Sequence, residues 1–455
     1  MASEIRVNKI ENRSGLGTVT FADTGVDLAG IVTATTFSGS GASLTNVPDS
    51  ALSAVTASKI VGVHTSLTVT NATTTGTAVV GGGVTISESG IEASGIGITV
   101  ANINGGQIGG RRNIIINGDQ RVAQRGTAAV TVTTSAGFRC VDRMKTDIDG
   151  SSGGDFSHAQ STDVPTGQGF THSSKITVVT QASQPSGTSN RHQFYTQLEK
   201  QDIVHLEWGT SAAKTCTLSF WVKSSVAGTY ILYIRHYGGT TYSYYTNYTI
   251  NSANTWEKKV ITVAGYTSGG NVSGTTDSGT LIEWNLGSSS GHETGTLNEW
   301  TDSGTIRAAA GSVYLPENSG ATWYITGIQF EVGSQATDFE RRTFGEEERL
   351  CYRYCYVISD GALGMGAQKA SDEIIGSIRF PVTMRTTPTA TSDSLVLRID
   401  SGLHLESSSS GTFSLSEAGP VVTGYKMTGF SGGLSNGSAF FVKENSGSIT
   451  LSAEL

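Results

Sequence analysis

Apolar residues recur at every second position through most of the chain beyond residue 127, which is the period of a β-strand with one buried face. SSKITVVTQ, TCTLSFWVKSS, GTYILYIRHYGG, YSYYTNYTI, TWEKKVITVAGY and ATWYITGIQFEV all alternate in this way between Gly, Ser and Asn turns. In TCTLSFWVKSS the pattern places Leu218, Phe220 and Val222 on one face and Ser219 and Trp221 on the other. Bulk on both faces marks a central strand. Strands of this kind over roughly 230 residues predict an antiparallel, jelly-roll-like β-sandwich. A further run, from IIGSIRFPVTMRTTPTATSD through SLVLRID, GTFSLSE, GYKMTGF and SAFFVKE to SITLSAEL, predicts a C-terminal β-sandwich of about 100 residues. Between the two, GEEERLCYRYCY (Gly345–Tyr356) has acids in its first turn and sets Leu350, Tyr354 and Cys351 on one stripe, the pattern of a short amphipathic helix.

The chain before residue 110 follows another pattern. EIRVNKI and GTVTFADTGVDL predict short strands between Gly and Asp turns. From Gly30, GIVTATTFSGSGASLTNV is β-prone but holds nothing bulky enough to fill a core alone. Such a segment orders only where several chains share one narrow core; otherwise it is largely disordered. SLTVTNATTTGTAVVGGGVTIS and GIEASGIGITVANINGG echo it, which favours a repetitive β-shaft. PDSALSAVTASKIV, opening at Pro48, predicts a short helix or a coiled segment. The change comes at Asn113–Gly126, NIIINGDQRVAQRG, with NGGQIGG before it as linker and all six tryptophans and most tyrosines after it.

Composition narrows the classes of function. Fifty-eight glycines against 7 prolines fit many short strands and tight turns, so the fold class is all-β. A formal net charge of −8 with only 15% charged residues provides no basic stripe, which argues against nucleic acid as a partner and against an anionic membrane surface. The N-terminus MASEIRVNKIENRSG has no apolar core of a signal peptide, and no apolar run reaches membrane-spanning length. The expectation is a product soluble where it is made, with no membrane insertion. Four cysteines are too few for a disulfide scaffold and fit a reducing cytoplasm.

NIIINGDQRVAQRG, the pair in CVDRM, the FWVKSS strand, NTWEKKVITVAG, ITGIQFEVGSQATDFERRTFGEEERLCYRY, FPVTMRTTPTAT and the terminal SAEL resemble, in this order, the distal part of tail fibre proteins of tailed bacteriophages. GIVTATTFSGSGASLT is similar to shaft segments in structural proteins of cyanobacterial and other marine phages. The resemblance implies a homotrimeric virion appendage, made in the host cytoplasm. Its N-terminal end would dock on a phage tail, baseplate or adaptor protein, and its distal β-domains would meet a host surface glycan. It implies no catalytic residue and no cofactor, so the expected protein is a receptor-binding fibre and not an enzyme. The division that follows is residues 1–30 for docking, 31–110 for the shaft, 111–345 for a carbohydrate-binding-module-like head, 346–358 for the helix and 359–455 for the terminal β-domain. A purely structural head or collar fibre is one alternative, and a glycan-depolymerising tail spike is another.

Residues shared across such fibres belong to cores and trimer contacts, so specificity is expected in loops, at Tyr237–Tyr248 and Thr267–Gly291. HYGGTTYSYYTNY offers Tyr237, Tyr242, Tyr244 and Tyr245 as rings to stack on sugars, with Trp284 and Trp300 as a further platform. The competing reading is a hairpin with alternate tyrosines in the core, and with both tryptophans packed. DIDGSSGGD (Asp147–Asp155) crowds three carboxylates but misses the calcium-loop spacing, so it reads as a solvated turn. Cys351 and Cys355, four apart on the predicted helix, lack a neighbouring His or CxxC, and no metal is expected. For a depolymerase the acids would be Glu283, Glu293 and Glu299 with Asp277.

Overall fold

A computed structural model describes residues 110–133, 136–150, 154–187, 190–293, 296–302, 308–359, 362–370, 373–400, 405–408, 412–428 and 439–455, together with six short strands upstream. The expected helix or coiled segment after Pro48 and most of the expected shaft lie outside the described residues. Contacts divide the chain into two compact units, Met1–Ile98 and Thr99–Leu455. In the first, β1 (Lys9–Glu11), β2 (Thr18–Ala22) and β3 (Gly25–Ala29) form one antiparallel sheet, and β4 (Ala78–Val80), β5 (Val84–Ser87) and β6 (Gly90–Ala93) form another. β1, β2 and β3 lie in EIRVNKIE and GTVTFADTGVDLA, where alternation between Gly and Asp turns predicts short strands.

The second unit opens with a two-layered sandwich. Its strands are β7 (Val130–Val132), β8 (Gly137–Phe138), β9 (Lys145–Asp149), β10 (Asp155–Ser161), β11 (Ser173–Thr180), β12 (Arg191–Glu199), β13 (Cys216–Ser224), β14 (Gly228–Tyr237), β15 (Thr241–Ile250), β16 (Glu257–Val263), β17 (Ser278–Ser288), β18 (Glu299–Thr301) and β19 (Thr322–Val332). One sheet runs β16-β13-β19-β11-β10-β7 and the other β18-β15-β14-β17-β12-β9-β8, with every pairing antiparallel. Leu218, Phe220 and Val222 are fully buried, as the alternation requires. Across the layers the Trp284 ring meets Phe220 at 5.4 Å, and Phe194 lies 5.4 Å from Trp323. Truncating a ring at this depth costs about 3–5 kcal/mol.

After the sandwich, α2 (Phe344–Tyr352; α1 is the single turn Lys200–Ile203) starts on a capping box between Thr343 and Glu346. It ends four residues short of the expected Tyr356. Cys355–Ile358 is a strand, β20, paired with residues Ser452–Ile449. The pairing claims its backbone groups, and Tyr354 turns inward to donate its hydroxyl to buried Glu199. Cys351 and Cys355 therefore sit on different elements and not on one helix face. Both are fully buried thiols whose burial pushes their pKa far above the usual range.

The terminal domain adds β21 (Ala362–Ala370), β22 (Glu373–Arg379), β23 (Thr389–Asp400), β24 (Leu405–Ser408), β25 (Thr412–Ser416), β26 (Val422–Thr428) and β27 (Ala439–Ser452). They make one sheet, ordered β24-β23-β27-β21-β22-β26-β25, with β20 also on β27. Its core gathers Ile374, Phe380, Met384, Tyr425, Met427 and Leu451. Gly376 is required here, since a Cβ would fall 2.4 Å from the Tyr425 ring.

Asn113–Gly126 joins these parts. Ile115 is buried in the sandwich core, and the Asn113 side chain donates to Ile328 O and accepts from the amides of Ile115 and Phe330. Gln124 donates to Cys355 O and accepts from Val357 N, which fastens the segment to β20. Arg125 and Arg143 pair with Glu454, and Arg353 donates to Glu199 at 2.7 and 2.8 Å. The stretch where composition changes is thus a clasp between sandwich and terminal domain.

Candidate functional site

Alternation decides which side chains reach the outer face of the seven-stranded sheet. On β14, Tyr230, Leu232, Ile234 and His236 turn into the core, so Tyr233, Arg235 and Tyr237 turn outward. On β12, Phe194 and Leu198 turn in, leaving Arg191, Gln193, Tyr195 and Gln197 outside. Cross-strand register then lines up one transverse row: Phe138, Lys145, Tyr195, Glu283, Tyr233, Tyr245 and Glu299. Seven adjacent strands span roughly 29 Å. The row has the length of an extended chain ligand.

Its centre is aromatic. The Tyr233 and Tyr245 rings stack at 4.7 Å, and with Tyr195 and Leu281 they form a cluster on which Leu297 packs. Burial raises the pKa of all three phenols, so they remain neutral donors. Around this floor stand half-buried Lys145, Asp147, Arg191, Gln197, Arg235 and Tyr237 and exposed Asp149. The Lys145 ammonium lies 5.6 Å from the Tyr195 ring and the Arg235 guanidinium 5.1 Å from that of Tyr237. Arg191 lies between Asp149 at 3.3 Å and Glu283 at 3.5 Å. Burial raises the Glu283 pKa, with Arg191 opposing it; burial and the like charge of Asp149 raise that of Asp147.

Hydrogen-bonding capacity is left over. The Arg235 Nε and the amide nitrogen of Gln193 have no hydrogen-bond partner among the described residues. Gln193 is 4% exposed, so its amide nitrogen is a buried donor without a partner, a costly state. Tyr195, Tyr233 and Tyr245 are at most 6% exposed and half-buried Tyr237 packs on them, so Tyr237 is the ring the arrangement can offer to an apolar sugar face, beside polar groups that can hydrogen-bond hydroxyls.

The sequence candidates divide by strand parity. Tyr237 and Tyr245 are on this outer face, whereas Tyr242, Tyr244, Trp284 and Trp300 are turned away from it. Tyr242 and Tyr244 share the inner face with Tyr248, and Tyr242 stacks on Tyr266 at 4.4 Å. Trp284 is fully buried. Trp300 packs 5.1 Å from Trp208 and donates to Ala264 O at 2.7 Å, so the two tryptophans form no joint platform. Tyr195, Tyr233, Arg191, Gln193 and Arg235 escaped the sequence reading. Their signal was present as polar and aromatic side chains at every second position of RHQFYTQLE and GTYILYIRHY.

The acids do not converge. Glu283 and Glu299 are three strand spacings apart in the row, roughly 14 Å, whereas glycosidase pairs stand about 5–9.5 Å apart. Glu293 is held by Gln184 and the Gly311 amide, and Asp277 pairs with Lys200 at 3.9 Å. Of the three carboxylates in DIDGSSGGD, Asp147 and Asp149 are on this sheet, while Asp155 begins β10 of the other.

No protein-family model matches the chain, and no curated protein matches its sequence. Among solved structures, the enzymatically active domain of tailspike protein 4 from bacteriophage CBA120 is similar over 48% of this chain and 21% of its own, at 12% identity and a TM-score of 0.26. A putative sugar-binding protein from Bacteroides thetaiotaomicron is similar over 49% of this chain and all of its own, at 15% identity and a TM-score of 0.26. A carbohydrate-binding module, TmCBM61, solved with β-1,4-galactotriose, is similar over 50% of this chain and 100% of its own, at 8% identity and a TM-score of 0.23.

Proposed function

We propose that the chain is a phage attachment fibre whose sandwich binds a host surface glycan on the outer face of the seven-stranded sheet, without cleaving it. One observation carries the reading: the transverse row of rings and charges, with a buried Gln193 donor beside it that lacks a partner. Tyr237 rests on a buried, already stacked tyrosine cluster, so little side-chain entropy is lost on binding. Arg235, Gln193, Gln197 and Asp147 supply donors and acceptors for hydroxyl groups. Binding without chemistry is supported by the separation of Glu283 from Glu299 and by the ties of Glu283 to Arg191 and Asn285.

The fibre would be a homotrimer held to the tail, baseplate or adaptor through residues 1–30, with the shaft drawing its order from three chains sharing one core. Weak contacts repeated on one trimer and over several fibres give lasting attachment by avidity. The test is a pair of assays on the full chain: retention on host cells, and release of reducing ends from their polysaccharide. Retention without release is the expected result. Release that is lost in Glu283→Gln would instead establish a depolymerase, and failure to bind cells would leave a purely structural fibre.

A further inference from the structure

The opposite layer of the sandwich carries a second concavity. A cavity of about 310 Å³ opens on the outer face of the six-stranded sheet. Its floor is Trp221 and Ser219 of β13 with Lys258 of β16, directly paired to Trp221. Trp221 faces outward because its neighbours Phe220 and Val222 are in the core. A register shift between Ser219 and Trp221 places a bulge in β19 at this point, which bends the strand and re-aims the side chains around it.

The walls are fastened. Arg341 donates to the carbonyls of Gly169 and Gln168, and its guanidinium lies 4.8 Å from the Phe170 ring and 5.8 Å from that of Phe339. One side chain therefore holds the 162–172 connection against the 333–343 segment. Gly327, at φ +62°, makes room for Phe170, whose ring would lie 2.6 Å from a Cβ there. The two bonds engage two of the five guanidinium N–H groups. The ammonium of exposed Lys258 makes no hydrogen bond or ion pair among the described residues, and Asp338 adds a carboxylate acceptor.

We infer that this cavity binds a sugar ring bearing a carboxylate, independently of the seven-stranded face. The ring's C–H face would lie on the Trp221 indole, its carboxylate between Lys258 and the spare N–H groups of Arg341, and its hydroxyls against Asp338 and Gln168. The volume is at the lower end for small-ligand sites, which suits one sugar unit rather than a chain. Two cations against one carboxylate give the cavity a local positive balance within a chain of net charge −8. An acidic unit is thus selected over a neutral one.

The full chain is titrated with methyl glucuronide, with methyl glucoside as the neutral control, by saturation-transfer NMR. Saturable binding of the glucuronide in the millimolar range is expected, with the glucoside at least about threefold weaker. Trp221→Ala should weaken glucuronide binding about tenfold. Lys258→Gln should bring the two sugars to nearly equal affinity while leaving the fold unchanged by circular dichroism. Tyr237→Ala, on the other sheet, should alter neither sugar, so failure here is distinguishable from failure of the attachment reading. Equal binding of both sugars by the unaltered chain, no saturable signal at tens of millimolar, or indifference to Trp221→Ala would each overturn the assignment.

Discussion

Asn117 is where the clasp is most exposed to a single change. Its side chain is fully buried, donates Nδ2 to Val122 O and Asp142 O at 2.9 Å each, and accepts from Val122 N at 3.0 Å. Its backbone stands at φ +58°, a region that Asn tolerates and Ala does not. Asn117→Ala removes all three bonds. Val122 O keeps the Asp142 amide, so two backbone groups lose their side-chain partner, Val122 N and Asp142 O. At about 1–3 kcal/mol for each buried group left unpaired, and about 1 kcal/mol for the left-handed backbone, the loss is roughly 3–7 kcal/mol. All six tryptophans lie in the sandwich, between residues 208 and 323, so urea unfolding followed by tryptophan fluorescence reports on that layer pair. With a slope of about 3 kcal/mol per molar, the midpoint should fall by about 1–2 M. Asn117→Gly, which spares the backbone penalty, should be milder by about 1 kcal/mol. A loss under about 1 kcal/mol for Asn117→Ala would refute the clasp.

Three further outcomes follow from buried groups. Complete burial, with Arg139 adding to it, pushes the His158 pKa down to about 3, so the ring is neutral in the fold. Unfolded it titrates near 6.5, so its stability contribution is full above that pH and is lost as pH falls toward 3; His158→Gln should flatten the fluorescence-detected stability profile across that window. Glu199 accepts from Arg353, Tyr354 and Gln201, and Glu199→Ala should cost about 3–5 kcal/mol in the same urea assay by leaving Arg353 unpaired at the joint. Gly327→Ala should destabilise the sandwich by more than about 1 kcal/mol, seen as a lower melting temperature in calorimetry, because the added methyl meets Phe170 at a left-handed position.

The sandwich was legible because strands write their faces in parity. Leu218, Phe220 and Val222 inside, with Ser219 and Trp221 outside, could be read from the string alone. What parity could not supply was which set of a two-sided strand faces the core. In TYSYYTNYTI both sets hold tyrosines, and only pairing with β14 assigns Tyr244 and Tyr248 inward and Tyr245 outward. The row itself joins residues 138, 145, 195, 233, 245, 283 and 299, a proximity created by register and invisible to spacing. The helix end failed for a similar reason. Local acids and a cap announce where α2 starts, but it stops because a partner strand nearly 100 residues away captures Cys355–Ile358. Asn113–Gly126 was visible as a change of composition, whereas its role depended on partners as distant as Glu347 and Cys355.

The proposed function places a glycan along the outer face of the seven-stranded sheet. Its most direct test is affinity electrophoresis of the full chain through gels carrying host surface polysaccharide, comparing the unaltered protein with Arg235→Ala and Tyr237→Ala. Both residues stand at the rim of the tyrosine floor and neither belongs to the core, so the variants should fold normally. Retardation of the unaltered chain that is lost or reduced about tenfold in each variant is the predicted result. Equal retardation of all three proteins would contradict it.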